Sequence, residues 1–435
     1  MRIQLAASEL QRLIPISPGT AAHCRRVAAL CRELGTRLPL SWRSLTTLEQ
    51  AALLHHTSAI LLDASASDRL MAEIAPVAAP IAANEKRTRD AVELPDDLAA
   101  LLTAFHGFGG GAQERETGLL AKILILAEAI DQQLESLAWE PRPVTQLWDE
   151  LADISGAVGE TVWKASAMAL RHPYRLEPGR QWDLPVHAPV VKEVVVGLRE
   201  HPDCDVNFLS RLAGRDPVLA GNVLTAANSA WFGRRTPVRS VSQAIAYIGA
   251  DTCRRILLAL ALKPLFGSAR LAALWRHSLD MAGLCESLAI ATGFLPPAEA
   301  LTLGLVHDIG RVASLRHSPS ANSAFARLTE QGCPPLYTEQ LLHGEGHDEI
   351  GARIMESWGF AEDLVEAVRA HHRPADSDSP GAAGLYLAEF WSATDEDLPS
   401  ARHLQRAQRR LGCSIEMLGD AARSEHPLSE LLRVA

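Results

Sequence analysis

Long apolar runs and dense basic stretches are both missing from this sequence. No stretch of eighteen consecutive apolar residues occurs, so the chain lacks a segment long enough to cross a membrane as a helix. Asp and Glu number 52 against 42 Lys and Arg, and the formal net charge is −10. A free nucleic-acid-binding protein is usually basic or has a dense Lys and Arg face. We therefore expect neither a membrane nor a nucleic acid as a partner.

Cysteine pairs and a secretory signal are missing as well. The seven cysteines are scattered, and no two of them form a Cys-x-x-Cys pair. The opening "MRIQLAASELQRLIP" has no charged region followed by an apolar region, as a secretory signal would. An odd, unpatterned set of cysteines in a large acidic chain is typical of reduced thiols in a cytosol. These observations predict a cytoplasmic protein.

Strand-like alternation of apolar and polar residues is almost absent, whereas helical periodicity is widespread. Apolar residues recur at i, i+3 and i+4 in most segments, and Ala, Leu, Arg and Glu dominate. A chain of 435 residues is too long for one ordinary core. We predict an all-α protein of several domains, with helices that include Ala21–Leu34, Leu119–Leu134, Leu209–Ala227 and Arg254–Leu262.

A proline-rich stretch marks the domain boundary. The segment "RHPYRLEPGRQWDLPVHAP", Arg171–Pro189, contains four prolines and interrupts the helical pattern. We predict a first helical domain at residues 1–175 and a linker at residues 176–183. The second domain, with a C-terminal helical tail, then takes residues 184–435.

The two halves of the chain share an ordered set of residues. Each half has a histidine, a second histidine about thirty residues later, a third after a longer interval and a glutamate in a Leu-x-Leu-Ala-Glu segment. One such match would mean little, but four in the same order indicate two copies of one helical module. The matched positions are His23, His55, His106 and Glu128 in the first half, and His277, His307, His371–His372 and Glu389 in the second.

The second half contains a candidate metal site. Imidazoles and carboxylates suit Mn, Fe, Zn or Ni, and a carboxylate between two ions can bridge them. Such a centre would activate a water molecule and bind a phosphate. The same side chains are also compatible with core hydrogen bonding, with a helix end at His372 and with a solvated Glu389. The candidate ligands are His277, His307, His347, His371 and His372, with Asp308 as the bridge and Glu389 as the last carboxylate.

Several segments of the second half resemble a known family. "LSRLAGRDPVLAGNVLTAANSAWFG" has a helix, an Asp-Pro step, a second helix and Asn-Ser-x-x-Phe-Gly in order. "VRSVSQAIAYIGADTCRRILLALAL", "LGLVHDIGRV", "HGEGHDEIGARIMESWGF" and "EAVRAHH" follow it. Residues from Leu184 to about Arg373 thus resemble an HDOD domain, the HD-related output domain of bacterial signalling proteins. The resemblance implies a helical HD-superfamily-like fold and a signalling role, generally without a demonstrated enzymatic activity.

The first half resembles an HD or HD-GYP domain, a family that hydrolyses cyclic di-GMP at a metal site. The resemblance rests on "HCRRVAAL", "AALLHH", "AFHGFGG" and "LLAKILILAEAIDQQL". This chain departs from the pattern, with His56 in place of the bridging Asp and no Gly-Tyr-Pro. We therefore expect neither metal binding nor hydrolysis there. The residues of this degenerate site are His23, His55, His56, His106, Glu128 and Asp131.

Three hypotheses about function remain open. The resemblance and the degenerate first half favour a non-catalytic signalling scaffold that binds a partner protein or a nucleotide, with no residue assigned a catalytic role. The alternative is a metal-dependent phosphohydrolase that acts on a nucleotide or cyclic dinucleotide through the second half. Its cofactor would be a divalent metal: Fe, Mn, Zn, Ni or Mg. Ligand sensing without turnover is a third hypothesis, and a homodimer is compatible with all three.

Overall fold

The computed structural model of the chain describes thirteen ranges of residues: 18–56, 94–106, 116–139, 144–171, 173–174, 193–194, 196–198, 200–201, 204–229, 237–267, 271–317, 319–392 and 401–423. None of these described residues lies in a β-strand, so the predicted all-α fold is confirmed. None of the described helices is both long and apolar enough to cross a membrane. The end of "AFHGFGG", Gly107–Gly110, and most of Arg171–Pro189, including the predicted linker, lie outside the described residues.

The helices group into two compact units, which consist of residues 1–176 with 319–344 and of residues 177–318 with 345–435. The first unit contains α1 (Pro18–Gly35), α2 (Trp42–Leu54), α3 (Asp96–His106), α4 (Glu116–Trp139), α5 (Thr145–Glu150), α6 (Ser155–Val158) and α7 (Glu160–Ala169). The second contains α8 (Val206–Ala213), α9 (Pro217–Ala227), α10 (Val241–Ile248), α11 (Ala250–Leu262), α12 (Ala272–Thr292), α13 (Pro297–Val306) and α14 (Ile309–His317). Next come α15 (Pro319–Glu330) and α16 (Pro335–His343) of the first unit, and α17 (His347–Trp358), α18 (Glu362–Ala370), α19 (Pro380–Ser392), α20 (Ala401–Leu411) and α21 (Ile415–Arg423) of the second.

The core of the first unit is built by helices that are distant in sequence. Side chains of α1, α2 and α4 pack together with Leu328, Cys333 and Leu341, which come from the α15–α16 segment. Arg327 on α15 also donates a hydrogen bond of 2.6 Å to the buried carboxylate of Glu33 on α1. The predicted boundary at residues 176–183 puts α15 and α16 in the second domain, because a linker in the sequence does not show which helices pack together.

The helices of the second unit begin at the residues expected from capping chemistry. The Asp216 carboxylate accepts a hydrogen bond from the backbone N–H of Leu219, 3.2 Å away, and Pro217 occupies the first turn of α9. Ser240 caps α10 in the same way. The sequence prediction Leu209–Ala227 is divided in the structure into α8 and α9 at Gly214–Asp216.

Asn228, just after α9, connects two segments of the second unit. Its side-chain amide donates to the carbonyl of Val238 at 3.0 Å, and its carbonyl accepts from the Val238 N–H at 2.7 Å. The Asn228 side chain therefore satisfies both the backbone carbonyl and the backbone N–H of Val238. The Asn-Ser-x-x-Phe-Gly pattern contains Asn228, but the sequence does not show that this side chain pairs with Val238.

We expect Asn228→Ala to lower the free energy of unfolding by about 1 kcal/mol, since it removes two backbone-directed hydrogen bonds of a partly exposed side chain. Asn228→Asp keeps the acceptor for the Val238 N–H, so its free energy of unfolding should lie between those of the native chain and Asn228→Ala. Urea unfolding followed by circular dichroism measures the effect. Thr225→Ala, on the exposed face of the same helix, is the control and should change stability far less. Equal effects of the two alanine variants would contradict the assigned role of Asn228.

Candidate metal centre

The seven candidate ligands of the second half all lie in the second unit, on helices or at their ends. The helices that bear them are distant in sequence, so the site is formed by tertiary packing. His277 lies on α12, His307 and Asp308 connect α13 to α14, His347 begins α17, His371 and His372 follow α18, and Glu389 lies on α19.

The absence of a side chain at Gly304 lets α13 approach α12. A Cβ atom at this position would lie 2.5 Å from the backbone carbonyl oxygen of Met281 on α12. Only glycine permits such close contact between two helix backbones. The approach brings Nε2 of His277 to within 3.2 Å of Nε2 of His307.

The first group of ligand atoms surrounds His307. Its Nε2 atom lies 3.6 Å from Oδ2 of Asp308 and 3.4 Å from Oε1 of Glu389. The Nε2 atom of His277 lies 3.8 Å from the same Asp308 oxygen. Donor atoms that share one ion at bond lengths of about 2.0–2.2 Å are separated by roughly 3–4 Å, so this group matches the spacing of one coordination sphere.

The second group consists of His347, His371 and His372, whose ligand atoms lie within 4.8 Å of one another. The Nε2 atoms of His347 and His372 are 2.8 Å apart. This separation fits either an N–H···N hydrogen bond between the two rings or a cation that both nitrogens bind. This second group therefore also suits a cation.

Asp308 faces both groups. Its Oδ2 atom is turned towards His277 and His307, and its Oδ1 atom lies 3.3 Å from Nε2 of His347. The side chain is fully buried. A carboxylate in this position can bridge two ions that are held by the two imidazole groups.

Backbone hydrogen bonds orient the imidazoles towards the centre. Nδ1–H of His307 donates to the carbonyl of Gly304 at 2.7 Å, and Nδ1–H of His371 donates to that of Val368 at 2.5 Å. The Nε2 atom of each ring thereby faces the site, as in metal-binding histidines. Among the described residues, neither Nε2 of His371 nor Oδ1 of Asp308 has a hydrogen-bond partner, although both are buried. Since buried polar atoms are rarely left unpaired, these two atoms fit a divalent ion.

The surroundings of the centre favour ionised carboxylates and, at His371 and His372, neutral imidazoles. Burial opposes the charge on Asp308, but Arg311 and the nearby imidazoles hold its pKa well below the usual value. Glu389 also has a lowered pKa, because neighbouring imidazoles outweigh the effect of its burial. Burial lowers the pKa of His371 and His372, so these rings are neutral near pH 7. Neutral imidazoles and anionic carboxylates are the forms that bind metals.

Two arginines at the site were not assigned from the sequence. Arg311 follows Asp308 by three residues, and its Nη1 donates to the Oδ2 atom of Asp308 at 2.9 Å. Arg373 follows His372 directly and lies 3.6 Å from Asp348, the residue that follows His347 in the sequence. Asp348 is absent from every group of potential metal ligands among the described residues. The "HDIGR" spacing was the available signal for Arg311, since residues three apart share a helix face.

One side of the centre is open. The side chains of His307, Asp308 and His371 have no exposed surface, whereas that of His277 is 32% exposed. His372 and Glu389 are 21% and 19% exposed. A small molecule can therefore reach the ligand groups from the side of His277, His372 and Glu389.

The first unit contains a second histidine cluster. Ligand atoms of His23, His55, His56 and Glu128 lie within 4.8 Å of one another. Nε2 of His23 is 3.3 Å from Nε2 of His55, close to the 3.2 Å between the two matched histidines of the second unit. Each second histidine, His55 or His307, also donates from Nδ1 to the carbonyl three residues earlier. The local geometry of the two clusters thus agrees with the internal repeat that the sequence predicts.

Asp131 and His106 occupy the edge of this cluster. Asp131 accepts from Nδ1 of His23 at 2.7 Å and forms a two-pronged pair with Arg26, which was not assigned from the sequence. Its hydrogen bond and that of Glu128 outweigh the effect of burial and raise the pKa of His23 to about 9. The ring of His106 meets that of Phe105 edge to face, and His106 belongs to none of the potential ligand groups among the described residues.

The fold and the site together define a class of protein: an all-helical domain with a centre of histidines and carboxylates. The family model of the HDOD domain matches residues 184–374. This part of the chain is therefore an HDOD domain, which confirms that resemblance. The match includes α15 and α16, the helices that pack in the first unit.

The chain is also similar to a curated protein. It is 25% identical over 177 residues to an uncharacterized protein of Treponema pallidum (strain Nichols), a match that covers 40% of this chain and 34% of that protein. The chain thus spans about a third of the length of this curated relative.

Two solved structures resemble the chain at low overall similarity. One, from Shewanella amazonensis SB2B, is named "Putative phosphohydrolase"; it is 24% identical with a TM-score of 0.46 and covers 58% of this chain and 94% of its own. The other, from Marinobacter aquaeolei VT8, is named "Putative signal transduction protein"; it is 24% identical with a TM-score of 0.47 and covers 61% of this chain and 60% of its own.

Proposed function

We propose that the HDOD domain of this chain is a metal-dependent phosphohydrolase that acts on a nucleotide or cyclic dinucleotide. The position of Asp308 carries the proposal. Its buried carboxylate faces the His277–His307 group with one oxygen and His347 with the other, and the latter oxygen has no hydrogen-bond partner among the described residues.

The side chains divide into two ligand sets. His277, His307 and Glu389 would hold one ion, His347, His371 and His372 the other, and Asp308 both. The mixed imidazole and carboxylate donors favour Fe, Mn, Zn or Ni over Mg, which prefers oxygen ligands. When bound, the ions would supply Lewis-acid stabilisation of phosphoryl charge and lower the pKa of the attacking water.

The protein's own residues prepare the site for a phosphate ester. The backbone carbonyls of Gly304 and Val368 fix the rings of His307 and His371, so little reorganisation is needed during a reaction. Arg311 and Arg373 are each about a quarter to a third exposed, and both lie next to ligand residues. Their guanidinium groups are suited to phosphate oxygens. The open side at His277 gives such a substrate access.

A non-catalytic signalling scaffold is the second candidate, and the Arg311–Asp308 pair favours it. The 2.9 Å hydrogen bond already neutralises the charge of Asp308 within the protein. A domain that keeps this pair needs no ion for stability and can act by binding a signalling protein or a nucleotide. In that case the cluster is a structural remnant.

We also propose a role for the first unit, a location and a class of partner. The first unit would be a degenerate HD-like module, because its histidine cluster repeats the local geometry of the second unit. A cytoplasmic location is supported by the seven cysteines, all of which are free and buried. The binding partner would be a signalling protein or a nucleotide, and a homodimer remains compatible with both functions.

Metal removal tests the proposed function. The full chain, purified without chelator, is expected to contain divalent metal and to hydrolyse a phosphodiester such as bis(4-nitrophenyl) phosphate. Dialysis against a chelator should abolish hydrolysis, and added Mn²⁺ or Fe²⁺ should restore it, since the ions supply the Lewis acid. Metal analysis and product release are the measurements.

The two candidate functions differ in outcome. The HDOD centre is the set of seven candidate ligands in the second unit. A chain that holds metal there but hydrolyses no phosphodiester, nucleotide or cyclic dinucleotide contradicts the proposed phosphohydrolase activity. Such a result supports the scaffold, as does a chain that binds no metal. His371→Ala provides the matched variant, with His403→Ala as a control: His403 is equally buried but lies outside the ligand groups among the described residues.

A further inference from the structure

The cluster of the first unit has the arrangement of a working ligand set, although the sequence predicts a degenerate one. Oε2 of Glu128 lies 3.0 Å from Nε2 of His23 and 2.8 Å from Nε2 of His55. His56 completes the group, with its Nε2 atom 3.9 Å from the second oxygen of Glu128. Three imidazole nitrogens and one carboxylate thus converge on one point.

The outer partners of these histidines fix their orientation. Nδ1 of His23 is bound to the Asp131 carboxylate at 2.7 Å, and Nδ1 of His55 to the Ala52 carbonyl at 2.6 Å. A carboxylate or carbonyl behind each imidazole is the usual second layer of a protein metal site. Asp131 is in turn held by two hydrogen bonds from Arg26, so it cannot swing inwards to act as a ligand.

We infer that the first unit binds a single divalent transition-metal ion of the Zn²⁺ type through His23, His55, His56 and Glu128, with Asp131 as a positioning residue. Imidazole-rich sets with one carboxylate suit Zn²⁺, whereas Mg²⁺ and Ca²⁺ prefer oxygen. Four donors complete a tetrahedral shell.

The substitution of His56 for a carboxylate explains why this site holds one ion and not two. Two metal ions at one site need a bridging anion between them to offset their repulsion. Here the position after His55 is an imidazole, and the charge of Asp131 is already neutralised by Arg26. Glu128 is the remaining anion of the group, which is sufficient for one cation. The ion would join α1, α2 and α4, the helices at the centre of the first core.

Metal binding by the first unit does not depend on the proposed phosphohydrolase. It is therefore tested in a chain whose second-unit centre has been disabled. The full-length double variant Asp308→Ala/His371→Ala removes the bridge and a ligand of the HDOD centre. We expect this chain to retain one Zn²⁺ after dialysis. Titration with Co²⁺ should give the visible absorption bands of a tetrahedral site.

Further substitutions in this background identify the ligands. Glu128→Gln and His56→Ala should each abolish or strongly weaken Co²⁺ binding; His56 is about a third exposed, so its variant should fold normally. Asp131→Asn should weaken the affinity by about 10–100-fold, as expected for a residue behind a ligand. Glu135→Gln is the matched control, because this exposed acid lies one turn further along α4 and should have no effect.

Three results would overturn the inference. The folded double variant could bind no Zn²⁺ or Co²⁺. Binding could persist unchanged in both Glu128→Gln and His56→Ala. Finally, Glu135→Gln could weaken binding as strongly as Glu128→Gln, which would place the ion at the outer His23–Asp131–Glu135 group instead. Circular dichroism confirms folding in each case.

Discussion

Asp308→Asn is expected to abolish phosphodiester hydrolysis and to release metal from the HDOD centre. The amide removes the negative charge that faces both imidazole groups and offers one oxygen where two are required. Arg311 can still donate to the remaining oxygen, so folding should be little affected. The Asp308 Oδ2 atom accepts that bond at 2.9 Å in the native chain.

The expected magnitude follows from the role of the ions. Metal ions contribute several kcal/mol of charge stabilisation to such reactions. A loss of about 4 kcal/mol corresponds to a fall of about a thousandfold in kcat. Steady-state kinetics together with metal content per chain measure the change, and circular dichroism shows that the fold is kept.

The second His-Asp pair of the chain provides the control. Asp348 follows His347 as Asp308 follows His307, and it is equally buried, yet it lies near Arg373 and in none of the potential ligand groups among the described residues. Asp348→Asn should therefore keep metal content and most of the activity. Equal losses in the two variants would show that buried charge, and not ligation by Asp308, is the quantity that matters.

Gly310→Ala is expected to destabilise the second unit and to disable the centre. A Cβ atom on Gly310 of α14 would lie 2.0 Å from the carbonyl oxygen of His347 and 2.8 Å from the backbone nitrogen of Gly351, both on α17. Neither backbone atom can move aside as a flexible side chain can. The two helices must separate, and the 3.3 Å approach of His347 to Asp308 is then lost.

Gly310→Ala should lower the free energy of unfolding by a large amount for the addition of one methyl group. Overpacking of a core costs about 1–3 kcal/mol, and the backbone contact here places Gly310→Ala at about 3 kcal/mol or more. Urea unfolding followed by circular dichroism gives the free energy of unfolding. Metal content and hydrolysis should fall together with it, because His347 belongs to the second ligand group.

Gly221→Ala is the matched control in the same unit. Gly221 lies on an exposed face of α9, and a Cβ atom there would meet no other atom within 4 Å. Alanine in the interior of a helix is favoured over glycine by about 0.5–1 kcal/mol, so this variant should be slightly more stable. A Gly310→Ala chain as stable as the native one would mean that α14 and α17 do not pack as described.

Helix content and the composition of both clusters could be predicted from the sequence, because they depend on local patterns. Periodicity at i, i+3 and i+4 predicts helices such as Ala21–Leu34, which lies within α1. The ordered recurrence of His23, His55 and Glu128 indicated a repeat of the second-half residues. The structure brings each set together within the distance of a coordination sphere.

The partners of these residues could not be predicted, because they come from distant parts of the chain. The pair of Arg26 with Asp131 joins residues that are more than one hundred positions apart. The prediction that the first half is degenerate rested on His56 in place of the bridging Asp and on the missing Gly-Tyr-Pro. In three dimensions the same imidazole adds a fourth donor to a group that already has an anion.

The sequence by itself determined that the protein is all-helical, that residues 184–374 form an HDOD domain and which imidazoles and carboxylates are candidates for metal binding. Only the tertiary structure decided that Asp308 faces two groups of ligands and that α15 and α16 belong to the first core. The physical reason is that helix formation depends on neighbours in the chain, whereas ligand geometry depends on where helices touch. Contacts such as that of Gly310 with the backbone of α17 set this geometry to within an ångström.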